Sequence, residues 1–325
     1  MEKATTTLVT TAPADEAALK PLLVSGAATG GATAAVKKQK WMYWLTGIII
    51  LAVTLVLVWY FVPTFRVHVE DVPPTFYYFL IAGFIFAMID GAIGMSYGIT
   101  STTFSLSMGI PPASASTAVH ISEILSNGIA GWMHFKMGNV NKKLFKILII
   151  PGIAGAVIGA YLLSSLEHYS MYTKPVVSLY TLILGSIILK RAIQAKRANH
   201  TGKKIKRIGL LGFGGGFIDA IGGGGWGSIV LSSLIAGRRH ARFSLGTVKA
   251  TRFFIAMLSS LTFVAALSFI HWDAVLGLVI GSAIASPIAA KVSNKISAKT
   301  IMVAVALIVI AASIKSIYAF VFKLL

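Results

Sequence analysis

The sequence of 325 residues has no cysteine and little charge, with only 12% Asp, Glu, Lys and Arg, and acids are the scarcer sign at 10 against 29 bases. Without cysteine there is no disulfide, no thiolate metal site and no Cys nucleophile. With 56% hydrophobic residues, polar groups are too few to cover a water-facing surface, so the composition is that of a membrane protein. A net charge of +19 would suit nucleic acid only if it formed a basic face on a soluble module. Here the bases lie between apolar runs, so cytoplasmic loops account for the charge and nucleic acid is set aside as a partner.

Residues 1–40 are rich in Ala, Thr and Gly without a sustained apolar period, and a disordered cytoplasmic tail is expected there. The first long apolar run begins near Trp41, after Lys37, Lys38 and Lys40, too late for a cleaved signal peptide. The rest, 41–325, reads as one membrane transport domain. Runs long enough to cross about 30 Å of hydrocarbon fall at 43–62, 113–135, 144–165, 174–192, 243–269, 273–292 and 300–322, giving seven crossings. Two further apolar stretches, 76–110 and 207–237, are broken near the middle by glycine, IDGAIGMSYG in one and IDAIGGGGWG in the other. Each half has roughly 15 residues, about 22 Å of helix, which suits a re-entrant hairpin.

Charge placement supports the hairpins. With the N-terminus cytoplasmic, the clusters Lys136 to Lys146, Lys190 to Arg207, Arg238 to Arg242 and Lys291 to Lys299 fall inside, while the outer side holds Arg66, Lys174 and Lys323 with Glu70, Asp71, Glu167 and Asp273. That obeys the positive-inside rule. If the broken stretches crossed once, Lys136 to Lys146 would move outside.

A shift of 129 positions superposes Gly83, Asp90, Gly94 and Gly98 on Gly212, Asp219, Gly223 and Gly227, and Tyr97 on Trp226. The chain is a duplication, with repeat one at 76–193 and repeat two at 205–322. Each copy has one hairpin and three crossings, an odd number, so the second copy must be inverted. The fold expected is an all-α polytopic membrane protein with an inverted-topology repeat, the plan of secondary transporters whose broken helices meet near the midplane.

Polar groups within the predicted spans are few: Asp90, His120, Glu123, Asp219, Lys249 and Arg252. His120 superposes on Lys249 and Glu123 on Arg252; within each helix the two are three residues apart, on one face. The two faces should meet across the pseudo-symmetry axis. In one reading Lys249, Arg252 and protonated His120 offset an anion's charge while N–H groups near Tyr97 and Trp226 point at it. Gly94 and Gly223 to Gly225 would let the backbone approach, and Thr100, Ser101, Thr102 and Ser228 would add hydroxyls. In the other reading Glu123 and Arg252 are a buried structural ion pair. Asp90 and Asp219 either cap the second half-helices or carry protons; of the buried carboxylates, Glu123, one turn from His120, is the expected proton acceptor. Tyr97 and Trp226 either cover the ligand or simply pack.

The runs IDAIGGGGWG with GTVKATRFF, and IDGAIGMSYGITSTT with GIPPASASTAVHISE, resemble the TauE/SafE sulfite-exporter family of anion permeases, over nearly everything after residue 75. The resemblance implies a permease of the bacterial inner membrane that exports sulfite, sulfoacetate or a related sulfur-containing organic anion, coupled to an ion gradient, without cofactor or metal. It implies a substrate region of Asp90, Gly94, Tyr97, Thr100, His120 and Glu123 with Asp219, Gly222 to Gly225 and Trp226. Relatives commonly carry Asn and Glu where this chain has Lys249 and Arg252, and Pro at Ser228; the added positive charge favours a stronger or doubly charged anion. The partners expected are a small anionic substrate and the lipid bilayer, with homo-oligomerisation left open. Two alternatives stand beside this reading: a cation/proton antiporter, which should show unpaired acids, and an intramembrane serine protease built on Ser228 and His120.

Overall fold

The computed structural model describes residues 71–194, 205–292 and 298–324, so the expected tail and the expected first span at 43–62 lie outside the described residues. Everything described is helix or the turns between helices. In chain order the helices are α1 (Pro74–Ile93), α2 (Tyr97–Ser107), α3 (Pro112–Lys136), α4 (Lys142–Ser165), α5 (Ser170–Gln194), α6 (Ile208–Gly222), α7 (Ser232–Ala236), α8 (Ala241–Ala266), α9 (Trp272–Val292) and α10 (Ala298–Leu324). A single π-helical turn, Gly227–Leu231, leads into α7. Six of the expected apolar runs are thus helices, within a few residues of their expected ends.

Among the described residues, five helical segments are long and apolar enough to cross a membrane: Pro74–Gly91, Lys142–Ser165, Glu167–Gln194, Ala241–Ala266 and Lys299–Phe322. α3 is long but too polar to join them, because its first half, PASASTAVHISE, puts serine, threonine, histidine and glutamate on a buried face. Such a face needs protein, not lipid, beside it, and α8 provides it.

The element order repeats itself. A glycine-broken pair (α1–α2; α6 with the π turn and α7) is followed each time by three long helices, α3 to α5 and α8 to α10. The packing repeats too, but exchanged: α1 packs along α9, and α6 along α4, so the first helix of each broken pair lies on the second long helix of the other copy. Small residues allow these seams. A Cβ on Gly83 would meet the Leu278 backbone 2.9 Å away, and one on the equivalent Gly212 would meet Leu148 O at 3.2 Å. α3 meets α8, and α5 meets α10, so equivalent helices of the two copies pair with each other.

The molecule has two distinct ends. At one, the α3–α4 turn is tied to α8 by Arg242 Nε donating to Asn139 Oδ1 at 2.6 Å and by Asn141 N donating to Thr247 Oγ1 at 2.9 Å. At the other, Gly109 and Pro111 share a cavity wall with Ser170, Lys174 and Phe320. Lys136, Lys142, Lys143, Lys146, Arg238, Arg239 and Arg242 belong to the first end. α1 departs from its expected length: it has 20 residues, about 30 Å, not roughly 15. It runs from a Thr75–Asp273 hydrogen bond of 2.5 Å at the second end to Gly94, whose Cα faces Leu245 only one turn into α8. The difference lies at both ends: Pro74 starts the helix two residues before the expected 76, at the first turn where its missing N–H costs nothing, and the helix runs on past Asp90 to Ile93.

Candidate functional site

The site begins with two helix breaks at equivalent positions. α1 ends on Gly94 at φ +80 and α6 on Gly223 at φ +64, the left-handed conformation that a side chain resists. Past each break a new helix begins with free N–H groups, and the aspartate four residues before the glycine turns back to take them. Asp90 Oδ1 accepts from Ser96 N at 2.8 Å and Tyr97 N at 3.1 Å; Asp219 Oδ1 accepts from Trp226 N at 2.7 Å.

The two broken tips touch backbone to backbone. A Cβ on Gly98 would lie 2.8 Å from the Gly224 Cα. Thr102 Oγ1 donates to Gly223 O, and Ser228 Oγ donates to Met95 O at 2.9 Å, so each tip is bonded to the other.

Around the tips the ionisable groups form three pairs whose members the 129-residue repeat relates. Glu123 and Arg252, at equivalent positions, pair with each other: Arg252 Nε to Glu123 Oε2 at 2.9 Å and Nη2 to Oε1 at 2.7 Å. Lys249 Nζ donates to Asp90 Oδ2 at 2.7 Å. At the place related to it, His120 Nε2 faces Asp219 Oδ2 at 3.4 Å. Arg252 Nη2 also reaches Asp219 Oδ1, at 3.1 Å, so one guanidinium bridges two carboxylates. Each aspartate therefore caps its own repeat and faces a base of the other.

This alters the charge expected of the site. Lys249 and Arg252 are not spare cations waiting for an anion; three carboxylates surround them. The hydroxyls are engaged as well, since Thr100 donates back to Ser96 O and Tyr97 O at 3.0 Å, while Thr102 and Ser228 tie the tips. Among the described residues Ser96 Oγ and Ser101 Oγ are buried without a hydrogen-bond partner. Trp226 is wholly buried, its ring facing Gly152 and Gly215, and packs in the core. Tyr97 is buried with its hydroxyl donating to Leu278 O at 3.3 Å. Glu123 is bonded to Arg252 at both oxygens, and the contact His120 makes is with Asp219.

The halves differ in exposure. Asp90, Gly94, Tyr97 and Lys249 line a cavity of about 280 Å³ that runs past His134 to Met137 at the basic end. Their equivalents Asp219, Gly223, Trp226 and His120 are fully enclosed. Of the residues expected to form the site, Asp90, Gly94, Tyr97 and Lys249 line this cavity. A larger cavity of about 600 Å³, lined by Trp132, Phe135, Phe145 and Phe253, lies on the flank of α3 and α8 and touches none of the charge pairs.

Three contributors were not singled out from the sequence. Tyr180 donates its hydroxyl to Gly224 O at 2.9 Å, Arg191 Nη1 donates to Ser228 O at 3.2 Å, and Ser116 holds His120. Tyr180 alone left a signal, a phenol in the middle of an apolar run. Ser228 and His120 do not pair, since the serine hydroxyl goes to Met95 O and the imidazole to Ser116 and Asp219. None of the three acids stands unpaired, and the described residues hold no cluster with metal-binding geometry.

The family model described as sulfite exporter TauE/SafE matches residues 79–316. A probable membrane transporter protein of Bacillus subtilis (strain 168), YtnM, is 37% identical over 208 residues, covering 62% of this chain and 69% of its own length. No solved structure matches the chain.

Proposed function

Because the chain belongs to the sulfite exporter TauE/SafE family of membrane transporters, we propose that it is a secondary-active exporter of sulfite, an organosulfonate or a related sulfur-containing anion in the bacterial inner membrane. Seven crossings and two re-entrant hairpins in inverted repeats, with the N-terminus and the basic end in the cytoplasm, give the topology of this reading.

The observation that carries it is the unequal exposure of equivalent halves. Two copies with matched residues present one aspartate–base pair to a cavity at the basic end and enclose the other, as expected of one state of an alternating-access cycle in which the copies exchange conformations. The open half is then the loading site. Lys249, with 13% of its side chain exposed, is the cation that an entering oxyanion meets, and it exchanges Asp90 for the substrate. Arg252, pinned between Glu123 and Asp219, holds the tips together and does not touch the anion. Gly94 lines the cavity beside the Leu245 side chain, and the anion lies next to the backbone at the N-terminal turn of α2.

The purified protein, screened by thermal shift against sulfite, sulfate, thiosulfate, sulfoacetate, taurine and carboxylate controls, is expected to be stabilised by a sulfur oxyanion. Lys249→Ala should abolish that stabilisation and counterflow of the anion in proteoliposomes. Unchanged binding in Lys249→Ala would overturn the site, and stabilisation by carboxylates alone would overturn the substrate class.

A further inference from the structure

We infer that one proton, bound between His120 and Asp219, is the ion coupled to anion movement; this rests on the transporter reading and adds the coupling ion to it. The imidazole's own hydrogen bonds fix where its hydrogen lies. His120 Nδ1 lies 2.8 Å from Ser116 O and 3.3 Å from Ser116 Oγ. The Ser116 hydroxyl is already donated to Ala220 O at 2.6 Å, and a carbonyl only accepts, so the hydrogen is on Nδ1. In the neutral ring Nε2 then carries a lone pair. It points at Asp219 Oδ2, another acceptor, 3.4 Å away. Both atoms are buried with no hydrogen-bond partner among the described residues. Two acceptors facing each other in a dry site form a vacancy of one proton: adding it to Nε2 converts a repulsive contact into a charge-assisted hydrogen bond.

The surroundings lead to the same position. From α6 the group facing His120 is Asp219; from α8 it is Arg252, with the Phe263 ring 5.9 Å from the imidazole; from α3 itself it is Glu123. One step further stand Asp90 of α1 paired with Lys249 of α8, Tyr97 of α2, and Tyr180 of α5 on Gly224 O. Asp90, Glu123 and Asp219 face two permanent cations, so the cluster is one negative charge in excess with a neutral imidazole and balanced with a protonated one. Every other acid oxygen of the cluster is taken: both oxygens of Glu123 by Arg252, Asp90 Oδ1 by the α2 amides and Oδ2 by Lys249, Asp219 Oδ1 by Trp226 and Arg252. His120 also occupies the one place where the pseudo-symmetry puts a titratable base opposite a permanent one, Lys249. The proton is therefore bound on the enclosed half while the anion loads on the open half, and the excess negative charge repels an anion until the proton is present. The proton binds before the anion, and exchange of the two halves opens the proton site to the opposite side.

Two measurements test this separately from the substrate. In liposomes, ¹⁵N-histidine NMR of the wild type should show one imidazole in the Nδ1–H neutral tautomer that gains a proton on acidification, its signals absent in His120→Gln. An Nε2–H neutral tautomer, or no titration, overturns the proton site even if transport is normal. In proteoliposomes, wild-type anion flux should rise on acidification along a limb approaching about tenfold per pH unit, as for one proton, with proton movement reported by a lumenal dye. His120→Lys copies the pseudo-symmetric residue and should give flux that is flat with pH and carries no proton. A His120→Lys variant that keeps the wild-type pH limb overturns the inference. Absence of any sulfur-oxyanion flux in the wild type overturns the transport reading and leaves the NMR result standing on its own.

Discussion

At the scale of single residues, the molecule balances charge inside a layer where charge is costly. Glu123, 1% exposed, and Arg252, 5% exposed, are stable there only because each offers the other a two-point hydrogen bond. Arg252→Ala would leave two buried carboxylates, Glu123 and Asp219, without their shared cation, a loss of about 3–5 kcal/mol for a broken buried pair. Unfolding in detergent should show this loss, and Glu123→Gln added to Arg252→Ala should recover part of it. If the two substitutions are simply additive, the pair is not the one described. Which residues would be polar and buried was legible in the sequence, and so was the meeting of Glu123 with Arg252, because the repeat and the helical spacing put them on facing sides. That Asp90 would be held by Lys249, and Asp219 by His120, was not legible: it depends on how α1 and α6 rotate against the opposite copy, which packing sets and a single strand of sequence does not record.

At the scale of elements, glycine decides which helices can approach. On α6 the contrast is sharp within one turn. A Cβ at Gly216 would strike Gly152 O of α4, whereas a Cβ at Gly214 would meet nothing within 4 Å. Gly216→Ala is expected to abolish folding or to lower the melting temperature steeply, while Gly214→Ala should be neutral or stabilising by up to about 1 kcal/mol, from helix propensity alone. Melting curves of the two variants in the same detergent check both outcomes, and a tolerated Gly216→Ala would contradict the α4–α6 seam. The existence of the breaks was readable from the doubled glycine motif. The 20-residue length of α1 was not, since its first residues, PTFYY, carry no apolar period that separates a helix start from the loop before it.

At the scale of the whole molecule, the two ends differ in charge and in the loops they gather, and the missing cysteines make that difference easy to probe. Single cysteines at Lys143 and Arg239 should react with an impermeant maleimide from the same side of the membrane, and cysteines at His168 and Ser268 from the other. Labelling of Lys143 and Ser268 positions from one side would overturn the two-ended arrangement. The gathering of bases in alternate loops was readable before any coordinates. The exchange of packing partners, α1 on α9 and α6 on α4, was invisible, because sequence repeats report which segments correspond and not which copy each one lies against.

The pairing of Glu123 with Arg252 reaches further than stability. The two positions are related by the axis that relates the copies, so in an assembly of two identical half-length chains one amino acid would stand there against itself. Like charges would then confront each other in the dry centre, and no such ancestor could hold this pair. Opposite signs at one self-facing position require two halves that have diverged. If the chain were cut between α5 and α6 and the fragments supplied separately, each half should therefore choose the other and refuse its own twin.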